Sequence, residues 1–195
     1  MAKVDSASQT LQKIHAKWMA KCTCKLRKTA TRAVPGSGSS AADIVFIGEA
    51  PGKKEDLTGL PFVGAAGKFL DEMLATVKLD RKDVYITSIV KYRPPNNRDP
   101  FPEEIRSCAG WLRDELTFIQ PKLIVFLGRH AMHQFFPDLK ISEVHGTHIE
   151  QKIPNFPTEH FFALYHPAAA LYNGSMRELL FSDFKKIPSI LRKLK

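Results

Sequence analysis

Four short apolar runs recur along the chain, at 44–47, 84–89, 123–127 and 161–165. Each is rich in β-branched or aromatic residues, the composition of strands whose two faces are both covered. Between them, apolar residues fall at helical spacing over about 65–78, 102–119 and 129–136. Pro102-Glu103-Glu104 places proline and acids where a helix start prefers them. A last helix is expected over about 175–192, with Pro188 as a candidate break. Near the N-terminus, residues 8–20 put Leu11, Ile14 and Trp18 on one helical face, and residues 35–40 read as a loop. Strands alternating with helices predict a parallel, three-layer α/β/α fold. With no internal repeat in view, the expectation is one domain over residues 1–195.

In such a fold the loops after the strands form one rim, and ligands bind there. Four distant segments meet at this rim: 48–52, 88–95, 128–130 and 166–167. The first follows an apolar strand with Gly-Glu-Ala-Pro-Gly, so Glu49 lands on a tight strand-end turn. Phe62 stands just before Gly64-Ala65-Ala66-Gly67, where small residues open a helix. An acid, an aromatic face and free backbone amides at one sheet edge suggest a pocket for a flat polar molecule.

Each residue has a plain reading as well. Glu49 either positions a water or accepts hydrogen bonds from its own loop. Phe62 is a stacking plate or a core residue. His166, directly after the fourth strand, either donates to charge on a leaving group or caps its own turn. Leu171, beyond the Pro-Ala turn, is an apolar wedge for a base stack or a core residue. The stiff, basic stretch Arg93-Pro94-Pro95-Asn96-Asn97-Arg98 either holds a phosphate backbone or is a surface loop. GEAPGKKED lacks the spacing of a phosphate-binding loop. The pairs His130/His133 and His145/His148 have no carboxylate pattern that would make a zinc signature. No serine stands in a nucleophile elbow.

Charge adds a partner to this picture. The net charge is +9, and it is terminal: residues 1–32 hold eight Lys/Arg against one acid, and residues 185–195 hold five against none. Basic ends around a slightly acidic middle fit a polyanion, with nucleic acid favoured. The apolar runs are too short to span a membrane, and the N-terminus lacks the apolar core of a signal peptide. Three cysteines fit a reducing compartment, so a cytoplasmic protein, nucleoid-associated if prokaryotic, is expected.

These blocks, in this order, resemble the family-4, iron–sulfur class of uracil-DNA glycosylases. The likeness runs from about Cys24 to Phe184 and is carried by GEAPG at 48–52, EDLTGLPFVGAAGKFLDEML at 55–74, DVYITSIVKYRPPNNRDPFPEEI at 83–105, PKLIVFLGRHAM at 121–132 and YHPAAALYN at 165–173. The resemblance implies a central four-stranded parallel sheet between helices, and hydrolysis of uracil from DNA to leave an abasic site. It implies catalytic roles for Glu49 beside the sugar and His166 beside the departing base. Gly48, Ala50, Phe62 and Ser88 would form the base pocket. Arg93, Asn96, Arg98, Arg129 and Leu171 would contact DNA. A monomer is the default expectation.

Two departures stand out. The family pattern has asparagine where this chain has Ser88, so the base-reading amide is missing and another deaminated base, hypoxanthine or xanthine, becomes an alternative substrate. The family's four cluster cysteines align with Lys21, Cys24, Tyr92 and Cys108, with Cys22 one residue out of register. A [4Fe–4S] cluster takes four thiolates. The expectation is therefore no cofactor, with an incompletely ligated [4Fe–4S] cluster as the alternative. Since Glu49, Phe62 and His166 are all retained, a hydrolytic glycosylase is expected rather than a non-catalytic damage-binding descendant.

Overall fold

The computed structural model describes residues 6–154 and 156–194. The ends of the two basic segments, residues 1–5 and 195, lie outside the described residues. The central element is β2 (Ile44–Gly48), flanked by β3 (Tyr85–Ser88) and β4 (Leu123–Leu127), with β6 (His160–Leu164) beyond β4. All four pair in parallel. They are the four strands expected from the apolar runs. Two short antiparallel strands extend the edges: β1 (Ser37–Gly38) beside β3 and β5 (His148–Glu150) beside β6. The sheet therefore has six strands, ordered β1-β3-β2-β4-β6-β5. The edge strands escaped the sequence reading because they are two and three residues long and half exposed or more, so they carry no apolar run.

The strands alternate between two cores. Ile44, Phe46, Ile86, Val125 and Phe162 face one side, while Val45, Ile47, Tyr85, Phe126 and Phe161 face the other. On the first side pack α3 (Ala65–Thr76), α7 (Gly174–Phe184) and α8 (Ile187–Lys193). On the second pack α1 (Ser6–Lys21), α4 (Pro102–Ile119) and α5 (Arg129–His133). This is the three-layer arrangement in which helices cover both faces of a parallel sheet. Two short helices, α2 (Lys53–Thr58) and α6 (Ile141–Val144), complete the set. The last helix does break, but at residues 185–186; Pro188 sits in the first turn of α8, where a missing N–H costs nothing.

A buried polar knot ties α1 to the sheet and to α4. Glu115 of α4 takes Lys91 Nζ at 2.7 Å, the Thr87 hydroxyl at 2.9 Å and the Gly36 amide at 3.2 Å. His15 of α1 approaches the same carboxylate at 3.3 Å and shares a hydrogen bond with the Tyr85 hydroxyl at 3.1 Å. Burial works against the ionised Glu115 carboxyl, yet Lys91 and His15 hold it down to about 2. Four partners satisfy the buried charge, as such an ion requires.

Candidate active site

The site begins where β2 ends. Ile89 N donates to Gly48 O at 2.9 Å and Val90 N to Glu49 O at 3.2 Å, so backbone pairing continues past the strand and fixes where Glu49 emerges. Gly48 is glycine for a steric reason: a Cβ there would stand 2.5 Å from the Phe62 ring. The aromatic ring lies across the strand end only because that position is bare.

Phe62 itself is held in a left-handed conformation, φ 53°, which costs a non-glycine residue roughly 1–2 kcal/mol. Two clamps hold it there. Arg81 donates to the carbonyls of Pro61 at 2.6 Å and Phe62 at 2.8 Å. Glu55 of α2 accepts the amides of Val63 and Gly64 at 2.8 and 2.7 Å. Sequence reasoning missed both residues, because neither bears a local pattern that announces a contact with a loop eight to twenty residues away.

Glu49, Phe62, Ser88, Asn97, His166 and Leu171 line one cavity of about 410 Å³, with Ala50 among the remaining wall residues. Three of the four rim segments line this cavity, the fourth, 128–130, reaches Glu49 through His130 at 3.9 Å, and Gly48 supports the cavity from beneath Phe62. The Phe62 and His166 rings lie 5.8 Å apart at 33°. His166 caps the 3-10 turn Pro167–Leu171, its Nδ1 accepting the Ala168 amide at 3.1 Å. That bond places the ring proton on Nε2. Burial, reinforced by His130 and opposed by Glu55, pulls the imidazole down to about 4, so His166 is a neutral donor at neutral pH. The plain reading of His166 holds: it caps its turn, and the cap sets the tautomer.

Glu49 sits in a cluster of alternating charge. Its Oε2 lies 3.9 Å from His130 Nε2, which stands 3.1 Å from Asp99 Oδ2. Arg129 Nε donates to His130 Nε2 at 3.1 Å, and its guanidinium lies 3.8 Å from Asp99. Burial pushes the Glu49 carboxyl up and Asp99 adds to this, while His130 and Arg129 oppose it. Among the described residues only Glu49, Asp99 and His130 bring three ligand atoms within 4.8 Å of one another. Arg129, 3.8 Å from Asp99, offsets part of that group's negative charge.

The residues expected to contact DNA are differently engaged. Arg98 forms a fork with Glu104 at 2.7 and 2.8 Å and stacks over Phe101 at 3.8 Å, yet still lines the cavity. Arg93 donates to Asn97 Oδ1 at 2.7 Å, and Asn96 is exposed at the turn. Leu171 is 37% exposed and lines the cavity, whereas its neighbour Tyr172 is 93% exposed. A lone tyrosine gave no signal in the sequence; only its exposure distinguishes it.

Cys22, Cys24 and Cys108 are free, buried and packed with Tyr92, Leu26, Val90 and Trp111. Contact with Cys108 brings Cys22 down to about 6, and Cys22 and Cys24 together push Cys108 up. Burial pushes Tyr92 up to about 12, so it is a neutral phenol. The Cys22 and Cys24 thiols approach the backbone carbonyls of Ser107 and Glu104 at 3.8 and 3.7 Å. A four-iron cluster needs four thiolates around one centre. Three cysteines and a buried phenol do not fit it.

Fold and site together define a three-layer α/β protein with a cavity at the carboxyl edge of its parallel strands. Residues 35–194 match the family model of the uracil DNA glycosylase superfamily. A type-4 uracil-DNA glycosylase of Archaeoglobus fulgidus is 51% identical over 175 residues, 87% of this chain and 87% of that protein. One from Sulfurisphaera tokodaii is 46% identical, covering 91% and 83%, and one from Thermotoga maritima is 39% identical, covering 95% and 97%. The chain belongs to the uracil DNA glycosylase superfamily.

Proposed function

We propose that this protein is a monofunctional DNA glycosylase that hydrolyses uracil from DNA and leaves an abasic site. The observation that carries the reading is the meeting of Glu49, Phe62 and His166 around one cavity. Base loss breaks the C1′–N1 bond, the electron pair leaving with the base while positive charge builds on the sugar. Glu49 stabilises that sugar and takes a proton from the water whose oxygen adds to C1′. His166 donates its Nε2 proton in a hydrogen bond to the uracil O2 as negative charge grows there. A neutral imidazole suits this role, because it donates without first having to lose a competing charge. Phe62 stacks on the extruded base and helps offset the few kcal/mol of unstacking.

Relatives named type-4 uracil-DNA glycosylases, similar over most of their length, support the substrate. Gly48, Ala50 and Ser88 shape the base pocket, and Arg93, Asn96, Arg98, Arg129 and Leu171 face the DNA. No described helix is long and apolar enough to cross a membrane. The packing of Tyr92 among the three thiols supports a fold that needs no iron–sulfur cluster.

End-labelled oligonucleotides carrying one uracil, treated with protein and then alkali, test the reading. Breaks at the uracil are expected with the wild type, and Glu49→Ala and His166→Ala should each lower the rate at least ~100-fold. Binding without breaks would make the protein a damage sensor instead.

A further inference from the structure

His145 and His148 stand close in the chain, yet the fold separates them. His145 Nδ1 meets Asp183 Oδ2 at 2.7 Å, while His148 opens β5 and lies beside His160 at the start of β6. The two strands run antiparallel, with His148 opposite Phe162, Ile149 opposite Phe161 and Glu150 opposite His160. Ile149 and Phe161 pack into the core on the α1 side. Alternation therefore puts His148, Glu150 and His160 together on the other face of this edge hairpin. The two imidazole rings lie 5.3 Å apart, centre to centre, inclined at 36°.

A second observation falls on the same pair. Among the described residues, two buried side-chain polar atoms have no hydrogen-bond partner, Trp111 Nε1 and His160 Nδ1. An indole nitrogen only donates, whereas an imidazole nitrogen can carry a lone pair and ligate a metal. Leaving such an atom buried and unpaired is costly unless a ligand supplies the partner. Of the charges that act on His148, Glu150 favours a bound cation and Lys193 of α8 opposes it. Affinity for a cation at this edge therefore has to come from the ring nitrogens.

We propose that His148 and His160 hold a transition-metal ion of the zinc class on this edge of the sheet, with Glu150 and water completing its shell. Zinc–nitrogen bonds of about 2.1 Å, extended to the ring centres and opened to a tetrahedral angle, separate two imidazoles by about 5 Å. The pair already stands at that spacing. Imidazole nitrogen selects zinc, nickel or copper over magnesium and calcium, which take oxygen ligands. The ion would act as a staple: β5 is three residues long at the sheet edge, where pairing is weakest and local opening begins. Bridging 148 to 160 closes the hairpin across its connecting segment. The site is separate from the glycosylase chemistry, because His160 precedes His166 by six residues of extended chain, about 20 Å.

The test titrates the full chain, first freed of metal by a chelator, with NiCl2, which prefers imidazole to the buried thiols. Calorimetry should find a nickel site that His148→Ala and His160→Ala each weaken at least ~10-fold, and MgCl2 should give no binding there. Hydrogen exchange locates the ion: at nickel 100 times its dissociation constant, the paired amides of 148–150 and 160–162 should exchange about 100-fold more slowly. His148 is exposed, so His148→Ala carries the test if His160→Ala does not fold. Nickel affinity unchanged in His148→Ala overturns the inference. So does binding that leaves hairpin exchange unaltered and is lost instead in His130→Ala or Cys108→Ser, which would place the ion beside Glu49 or among the thiols. Equal binding of magnesium would overturn the role given to the imidazoles.

Discussion

Arg81 Nη1 donates to the carbonyl of Phe62 at 2.8 Å and also meets Asp71 at 2.8 Å, so one guanidinium ties the stacking residue to α3. The Phe62 backbone is left-handed and strained, and only its surroundings keep it there. Arg81→Ala should release the loop, lowering kcat/KM on uracil DNA about tenfold while leaving the melting temperature within a few degrees. Inhibition by free uracil should weaken in parallel, because the base loses its plate. Arg81→Lys should recover only part of the loss, since one ammonium cannot replace a fork that spans two carbonyls. Unchanged uracil inhibition in Arg81→Ala would show that Phe62 holds its pose without the clamp.

The four parallel strands and the rim residues Glu49, Phe62, Ser88 and His166 were legible in the sequence for one reason. Buried strands need unbroken apolar runs, and the rim follows from where those runs stop. Arg81, Glu55, His130 and Asp99 were illegible because their partners lie elsewhere in the chain and charged residues carry no periodicity. His130 was placed on the rim within 128–130 and noted as half of a histidine pair, but its neighbours at the site, Glu49 and Asp99, with Arg129 adjacent, were not foreseen. The basic residues expected on DNA were visible as charge, but their pairing was not. Arg98 is engaged by Glu104, six residues away on the other side of two prolines.

The charge cluster around Glu49 sets a pH dependence. In the proposed mechanism the reaction needs the ionised carboxylate, and burial pushes Glu49 up with Asp99 adding to it, while His130 and Arg129 hold it down. His130→Ala removes one of the two groups that hold the carboxyl down, so it should rise further and its ionised fraction at a given pH should fall. The acid limb of kcat is expected to move to higher pH, with KM little changed because His130 does not line the cavity. Asp99→Asn should move it the opposite way. A pH–rate profile for each variant measures this, and coincident acid limbs would mean that another group controls the limb.

His166 sets a second, separate dependence, on stability. Its folded value of about 4 lies below the ordinary 6.5, so the unfolded chain takes up the proton more readily than the native one. Stability should be unaffected by this group above about 6.5 and should fall as pH drops from there toward 4. His166→Gln should flatten that part of the curve. Urea midpoints at pH 7 and 4.5 for the two proteins give the comparison; equal slopes would show that the imidazole is not held neutral.

The thiol cluster makes a prediction about metal removal. Tyr92 is buried among Cys22, Cys24 and Cys108, filling space with a neutral ring. Purified protein should be colourless and free of iron, and a strong chelator should leave its melting temperature unchanged. Tyr92→Ala should instead destabilise it by about 3–5 kcal/mol, the usual cost of emptying an aromatic site in a core. Stoichiometric iron and sulfide, or a chelator-induced drop in melting temperature, would show that the segments are tied by a cluster after all.

Tyr172 and Leu171, neighbours in the chain, are placed differently. Leu171 lines the cavity, whereas Tyr172 stands almost fully in solvent at the end of the turn that His166 begins. The turn is anchored on both sides, since His166 caps it and Asn173 caps α7 through the amides of Ser175 and Met176. A large ring on a fixed platform is placed to enter the gap left by an extruded base, where stacking on the neighbours contributes about 1–3 kcal/mol. A single strand has no such gap to fill. Tyr172→Ala should therefore lower uracil release from duplex DNA by about tenfold or more and leave release from single strands nearly unchanged. Leu171→Ala, which opens the cavity wall, should lower both. Equal losses on the two substrates for Tyr172→Ala would place that ring at the pocket rather than in the duplex.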